Sequence, residues 1–189
     1  MRFFSRRSFA GFTLVELMTV VTIVAVLSVV AVVSYKRYMR RARVMEGSAF
    51  LMDIKMKQET YFMTYSQYVD TGSGSNPDAW FPSIATPFPV GQGLPVPWGA
   101  WNCATATAAQ GYYGFCALGM VPPNPDTYFQ YVTIGWAPGD TYDPTGGGFI
   151  QDKTRRWWFA RARTFMDDQG TLPLELRISS EFTDIREIQ

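Results

Sequence analysis

The sequence predicts an α+β fold in which one long N-terminal helix packs on an antiparallel sheet of three or four strands. Two observations carry this prediction. From residue 12 to residue 66 the helical pattern is interrupted by neither glycine nor proline except at Gly47. The strand signals all come later, between residue 127 and the end of the chain. A helix laid on such a sheet would bury the apolar faces of both elements.

The first part of the helix is apolar enough to cross a membrane. Residues 12–33 would span about 33 Å as a helix, which matches the thickness of a bilayer core. They contain one charge, Glu16. An isolated carboxylate in a membrane span costs on the order of 2.5–3.5 kcal/mol, so a charge at this position indicates a partner.

The second part of the helix, residues 34–66, is amphipathic. Its apolar residues recur at spacings of three, four and seven, and we expect this stripe to pack against the sheet rather than to form a binding groove. The stripe consists of Tyr35, Tyr38, Met39, Ala42, Met45, Ala49, Met52, Met56 and Met63.

Residues 67–126 change in character to a loop rich in proline, glycine and aromatic residues. Prolines at this density exclude helix and central strand, whereas the tryptophans and phenylalanines need burial. We therefore expect an ordered, irregular connection packed on the helix or the sheet. The two cysteines of the chain, Cys103 and Cys116, predict one disulfide, which would contribute about 3 kcal/mol. Two buried free thiols are the alternative.

Residues 127–189 carry the strand signals. We predict strands at residues 127–136, 155–165 and 174–179, and a short fourth strand within 182–188. Between them, Asp167 and Asp168 precede Gly170 and favour a plain hairpin turn. Calcium ligation is the alternative, but the alternating oxygen ligands of a dedicated calcium loop are missing.

A basic and aromatic run lies on the second of these strands. Basic residues beside stacking aromatics are what single-strand nucleic-acid binders use, so DNA contact is one interpretation. A structural strand, with arginine stems packed over tryptophan, is the interpretation that we favour. The run contains Arg155, Arg156, Trp157, Arg161 and Arg163.

Composition excludes several functions. Histidine is absent, which removes the usual general base and the commonest metal ligand. One cysteine pair makes no zinc site, and a net charge of +1 argues against nucleic acid as the dominant partner. We expect no enzyme activity, no cofactor and no metal.

The segment Gly11-Phe12-Thr13-Leu14-Val15-Glu16-Leu17-Met18, behind a leader that contains three arginines, resembles the start of type IV pilins and pseudopilins. The resemblance covers about a third of the chain, to Tyr65. It implies that prepilin peptidase removes residues 1–11, cutting after Gly11, and methylates the new N-terminus at Phe12. It also implies that residues 12–33 form the core of a helical filament, in which Glu16 neutralises the Phe12 ammonium group of a neighbouring subunit.

The resemblance further implies partners and places. The chain would wait in the bacterial inner membrane with its C-terminal domain outside the cytoplasm, and an assembly platform would then add it to other pilins. The product would be an extracellular pilus or, as the second hypothesis, the periplasmic pseudopilus of a type II secretion system. A signal-anchored envelope enzyme or sensor is a third hypothesis. The family's usual helix-weakening proline and glycine are replaced by Val33 and Ala25, which leaves room for a minor pilin or pseudopilin.

The charge pattern around the membrane span conflicts with this topology. Five of the eight residues 36–43 are basic, and the positive-inside rule applied to them alone would place the C-terminal domain in the cytoplasm. We favour export, because the basic residues have other uses. They would meet lipid headgroups before assembly and acidic groups of neighbouring subunits in the filament. They are Lys36, Arg37, Arg40, Arg41 and Arg43.

Overall fold

The computed structural model describes residues 11–71, 79–82, 95–99, 101–107, 111–121, 124–136, 150, 152, 154–165, 173–182 and 184–188. The chain divides into two compact units, residues 1–42 and residues 43–189, and we call the second unit the head. The elements are α1 (Leu14–Tyr65), β1 (Val96–Pro97), α2 (Tyr113–Ala117), β2 (Asp126–Thr127), β3 (Gln130–Trp136), β4 (Trp157–Phe165), β5 (Pro173–Ser179) and β6 (Arg186–Ile188).

The part of α1 that lies in the first unit is exposed except at the half-buried Met39, and its sequence is long and apolar enough to cross a membrane. The most apolar stretch has a mean hydropathy of 2.7, and none of it is buried. Its polar side chains are satisfied within the helix, because the hydroxyls of Thr19, Thr22 and Ser28 donate to the carbonyls four residues earlier at 2.9, 2.8 and 2.7 Å. These hydroxyls therefore need no partner outside the helix.

The head contains the predicted antiparallel sheet, with four strands in the order β3-β4-β5-β6. Tyr131, Ala162 and Leu176 stand side by side on its three longer strands. The strand expected at residues 127–136 is split in two, because the Phe129 amide donates to the Thr127 hydroxyl at 3.1 Å instead of to a neighbouring strand. Thr127 belongs to β2, which pairs with β1 in a separate two-stranded ribbon.

Helix α1 packs on the sheet through a face that repeats every three to four residues. An apolar cluster joins Phe50, Leu51 and Ile54 of the helix to the inner face of the sheet, where the Phe50 and Tyr131 ring centroids lie 4.4 Å apart. The buried residues of the helix are Gly47, Phe50, Leu51, Ile54 and Gln58. The sheet contributes Tyr131, Trp158, Ala160, Ala162, Leu174, Leu176 and Ile178 to the same cluster.

Two residues of this face are not apolar, and each has a specific packing role. Gly47 lies against the ring of Phe129, to which an added Cβ would approach within 2.9 Å. Gln58 is completely buried, and its carboxamide donates to the Val69 carbonyl at 2.7 Å and to the Thr133 hydroxyl at 3.0 Å while accepting from the Val69 amide at 2.9 Å. The Gln58 side chain therefore joins the helix, the segment that follows it and the sheet.

The apolar stripe that the sequence predicts as the packing face is exposed instead. Met45, Met56 and Met63 are 70%, 63% and 84% exposed. Ile54 lies two positions from Met52 and Met56, and two positions along a helix rotate a side chain by about 200°. The stripe is therefore on the side of α1 opposite to the buried face, and the prediction that it packs on the sheet was wrong.

Four aromatic residues of the helix-to-sheet connection, Trp80, Phe81, Trp98 and Phe115, are buried, as predicted. Trp98 stacks on Tyr131 with ring centroids 5.5 Å apart, and Phe81 lies 6.0 Å from both Trp98 and Phe115. Phe115 belongs to α2, a short helix that the sequence analysis did not predict. Phe81, Trp98 and Phe115 of this connection thus belong to the same apolar core as the helix and the sheet.

Replacing Gly47 with leucine should destabilise the head. The new side chain would overlap the buried Phe129 ring, and overpacking of this kind costs about 1–3 kcal/mol, less the few tenths to 1 kcal/mol that leucine gains over glycine in a helix. Ala49→Leu is the matched control, because Ala49 is exposed on the same helix. Denaturant unfolding of the full chain in detergent would measure both. Equal stability of the two variants would contradict the close approach at Gly47.

Candidate functional site

The junction expected to be cleaved lies in open structure. Gly11 and Phe12 are exposed, Phe12 by 81%, and nothing in the described chain stands within 4 Å of a Cβ built on Gly11. The fold therefore sets no limit on side-chain size at residue 11. A requirement for a small residue there would have to come from an enzyme that binds the junction.

Helix α1 starts two residues after this junction, and Glu16 helps to fix the start. The Thr13 amide and the Thr13 hydroxyl both donate to Glu16 Oε2, at 2.9 and 2.8 Å, and the Glu16 amide donates back to the Thr13 hydroxyl at 3.3 Å. This is a capping box, with Thr13 as N-cap and Glu16 at the third helical position. It satisfies backbone donors that a helix N-terminus otherwise leaves free.

The capping box leaves part of the Glu16 carboxylate available. Both hydrogen bonds from Thr13 go to Oε2, and within the described residues Oε1 accepts none. A carboxylate can accept about four hydrogen bonds. No basic side chain pairs with Glu16 within the part of the chain that the structure describes. Glu16 can therefore keep its cap and still bind a cation supplied from outside the subunit.

Thr13 is a site residue that the sequence analysis did not single out. The signal was present, because Thr13-Leu14-Val15-Glu16 has the threonine and glutamate spacing of a capping box. Glu16 therefore has a local role, as the acceptor of the cap, in addition to its unusual charge. The structure makes the pair, rather than the glutamate alone, the polar feature at the start of the apolar helix.

The predicted disulfide between Cys103 and Cys116 is confirmed. The two Cα atoms lie 5.4 Å apart, and the bond ties an exposed turn to α2. Cys103 is exposed, whereas Cys116 is half-buried next to the core residue Phe115. The bond therefore fixes a surface turn to an element that is itself held by core packing.

The basic and aromatic run of β4 is structural in its central part. Trp157 is 1% exposed, and the guanidinium groups of Arg161 and Arg163 lie 4.7 and 4.2 Å from the ring centroid of Trp80. A buried tryptophan cannot stack on a nucleic-acid base, so the run is not the exposed platform that DNA contact would require. The packing of arginine over tryptophan that we favoured is present, but through the guanidinium groups and with Trp80 as the tryptophan.

The two arginines before β4 lie outside the strand. The strand predicted at residues 155–165 begins at Trp157 instead, and Arg155 pairs with Asp152 at 3.5 Å. Arg156 is exposed. The predicted start of the strand was two residues too early, because the aromatic residues that favour a strand begin at Trp157.

A partly buried carboxylate, Glu175, joins two strands on the outer face of the sheet. Arg161 Nη2 donates to Glu175 Oε2 at 3.1 Å, and Arg177 Nε donates to Oε1 at 2.6 Å. Burial by itself raises the pKa of Glu175, but the hydrogen bonds from Arg161 and then Arg177 outweigh it and hold the pKa below its usual value. Glu175 is therefore ionised in the fold and neutralises a local excess of positive charge.

The described residues contain no group of three or more metal-ligating side chains. Asp167 and Asp168, for which calcium binding was the alternative to a hairpin turn, lie outside the described residues.

Comparison with known protein families gives a match at the N-terminus. The family described as the prokaryotic N-terminal methylation motif matches residues 6–32. These residues include the junction, the capping box and all but the last residue of the apolar stretch 12–33, so the chain carries a leader of the type IV prepilin kind. No curated protein and no solved structure matches the chain.

The head should lose stability in acid through Glu175. Because its pKa is lower in the fold than in the unfolded chain, its contribution is present at neutral pH and is lost as the pH falls from about 4.3 through the lowered value. Glu175→Gln should cost about 1–3 kcal/mol at pH 7, because Glu175 is only partly buried, and should remove this part of the acid sensitivity. Asp184→Asn, at an exposed position, is the control. Unfolding curves of the full chain at several pH values test this, and parallel pH dependence in wild type and Glu175→Gln would contradict it.

Proposed function

We propose that this protein is a structural subunit, a major or minor pilin, of a filament built by a type IV pilus machine. The observation that carries the proposal is the methylation motif at residues 6–32, whose polar pair Thr13–Glu16 opens a helix with no buried surface in its apolar part. An apolar helix of this length must be covered by lipid or by other helices. When the subunit leaves the membrane, the helices of other subunits would replace the lipid around its apolar helix.

Processing would create the charge that Glu16 needs. Cutting after Gly11 frees the α-amino group of Phe12, a cation at the start of an apolar helix. In the dehydrated centre of a helix bundle, an isolated ammonium group and an isolated carboxylate are both unfavourable, whereas the pair is tolerated. Oε1 of Glu16 on one subunit would accept from the Phe12 ammonium group of its neighbour. The pairing would fix how far one subunit is displaced along the axis from the next.

A pseudopilin of a type II secretion system is the second candidate, and one feature favours it. The chain has Val33 and Ala25 where pilins commonly have a proline and a glycine, and α1 is one unbroken α-helix from Leu14 to Tyr65. A helix without such weak points would extend less readily during assembly. The long aromatic connection with its disulfide favours a surface filament instead. An envelope enzyme or sensor is the third candidate, and no observation in the described residues favours it.

The mature chain should begin at Phe12 and carry one methyl group on its α-amino nitrogen. Mass spectrometry of the N-terminal peptide, from cells that make the assembled filament, would show this. Gly11→Leu should leave an unprocessed precursor in the membrane, although the fold itself accepts a side chain there. An assembled product that retains Met1 would overturn the proposal.

Glu16→Gln and Glu16→Ala should separate the two roles of this residue. Glutamine keeps the capping box but has no charge, whereas alanine loses both. Both variants should insert in the membrane, be cut after Gly11 and keep a folded head. If charge pairing drives assembly, both should be reduced in sheared filaments by a similar and large factor.

The measurement compares the membrane-held and sheared pools in cells that make only one variant. Thr13→Val, which removes the hydroxyl of the cap but keeps the carboxylate, is the matched control and should assemble better than either Glu16 variant. If Glu16→Gln assembles like wild type while Glu16→Ala does not, the cap is the important role and the charge pairing is wrong. Wild-type assembly of Glu16→Ala would contradict any assembly role for this residue.

A further inference from the structure

Four basic residues follow the candidate membrane span within the six positions 36–41. All four are exposed on α1. The sequence contains no aspartate or glutamate between Glu16 and Glu46. We call Lys36, Arg37, Arg40 and Arg41 the basic collar.

The structure separates the collar from Arg43, which the sequence groups with it. Arg43 is half-buried, and its guanidinium carbon lies 4.5 Å from the ring centroid of Tyr128 in the head. The collar residues form no ion pair with any residue that the structure describes. Arg43 thus has a use within its own chain, and the collar shows none.

The collar is unfavourable for the helix that carries it. Lys36 and Arg40 are four residues apart, as are Arg37 and Arg41, and like charges at this spacing repel each other across one helical turn. Unneutralised repulsion of this kind calls for negative charge from outside the chain.

The position of the collar along the helix indicates which negative charge it meets. Counted from the end of the apolar stretch at Val33, its residues lie about 4–12 Å further along the helix axis, which is the depth of the headgroup layer beside a bilayer core. Tyr35 and Tyr38, which flank the start of the collar, are 64% and 68% exposed. Tyrosine is enriched at this level of a membrane.

We propose that the basic collar binds the anionic headgroups of the phospholipids that surround the unassembled subunit. The inference rests on the membrane-held precursor of the proposed function. Each lysine or arginine at a membrane surface strengthens attraction to anionic lipid by up to about fivefold. The collar therefore holds the subunit at a fixed depth, and the machine that extracts the subunit must break these contacts.

The test is lipid selectivity of the full chain, reconstituted in phosphatidylcholine vesicles with phosphatidylglycerol as a minor component. Electron spin resonance with either spin-labelled lipid gives the ratio of their association with the protein. In wild type, phosphatidylglycerol should be favoured several-fold over phosphatidylcholine, and sodium chloride should reduce the preference by screening. The preference should fall towards one in the quadruple variant Lys36→Gln, Arg37→Gln, Arg40→Gln and Arg41→Gln.

A matched pair of double variants controls for net charge. Arg40→Gln with Arg41→Gln removes two adjacent arginines from the collar, and Arg155→Gln with Arg156→Gln removes two adjacent, exposed arginines from the head. The first should lower the preference severalfold and the second should leave it unchanged. Unfolding of the head, which should be the same in all variants, verifies that each is folded.

Three results would overturn the proposal: no preference for phosphatidylglycerol in wild type, a preference that survives in the quadruple variant, or an equal loss in the two double variants. If the collar instead meets acidic groups of another copy, lipid preference is absent while charge-dependent crosslinking between copies appears. Lipid selectivity does not need a filament. An assembled product that retains Met1, together with intact lipid selectivity, would therefore reject the proposed function and keep the collar.

Discussion

The contact between one face of α1 and the inner face of the sheet is the interaction on which the rest of the head depends. Gly47 lets the Phe129 ring come close to the helix backbone, and Phe50 brings Tyr131 and Trp98 into one aromatic cluster. Gln58 then anchors both the chain after the helix, at Val69, and the sheet, at Thr133. On the opposite side of α1, Met45, Met56 and Met63 remain 70%, 63% and 84% exposed.

The sequence pattern predicted the long helix and the antiparallel sheet correctly, but it indicated the wrong face of the helix as the one that packs on the sheet. The exposed stripe of methionine, tyrosine and alanine looks like a core face because its spacing is regular and its residues are apolar. The true packing face contains Gly47 and Gln58, which a hydrophobic pattern treats as interruptions. Glycine there serves close approach and glutamine is satisfied by hydrogen bonds, and both depend on residues more than ten positions away. Local periodicity does not contain that information.

At the N-terminus the sequence was informative about chemistry and less so about geometry. One carboxylate in an apolar run pointed to Glu16, and the motif match at residues 6–32 agrees with the family suggested by the residues around it. The spacing of threonine and glutamate in residues 13–16 also predicts the hydrogen bonds of Thr13, although we did not make that prediction. A glutamate that caps its own helix enters the membrane with part of its charge already solvated by backbone and hydroxyl donors. This lowers the cost of carrying the charge before a partner is present.

The basic residues after the span are compatible with export of the head, although the positive-inside rule applied to them alone predicts the opposite. The positive-inside rule is a statement about which loops cross a membrane during insertion, and it takes no account of what a charge does afterwards. A leader with three arginines competes with the collar for the inner side, and disulfides such as the one in the head form and persist in oxidising compartments. If the head is exported, the collar ends up at the outer headgroup layer, where its charges slow the departure of a subunit. The free-energy cost of moving the collar across the membrane and the retention of the subunit in the membrane before assembly then have one physical origin. It is the attraction between the fixed cations of the collar and the lipid phosphates.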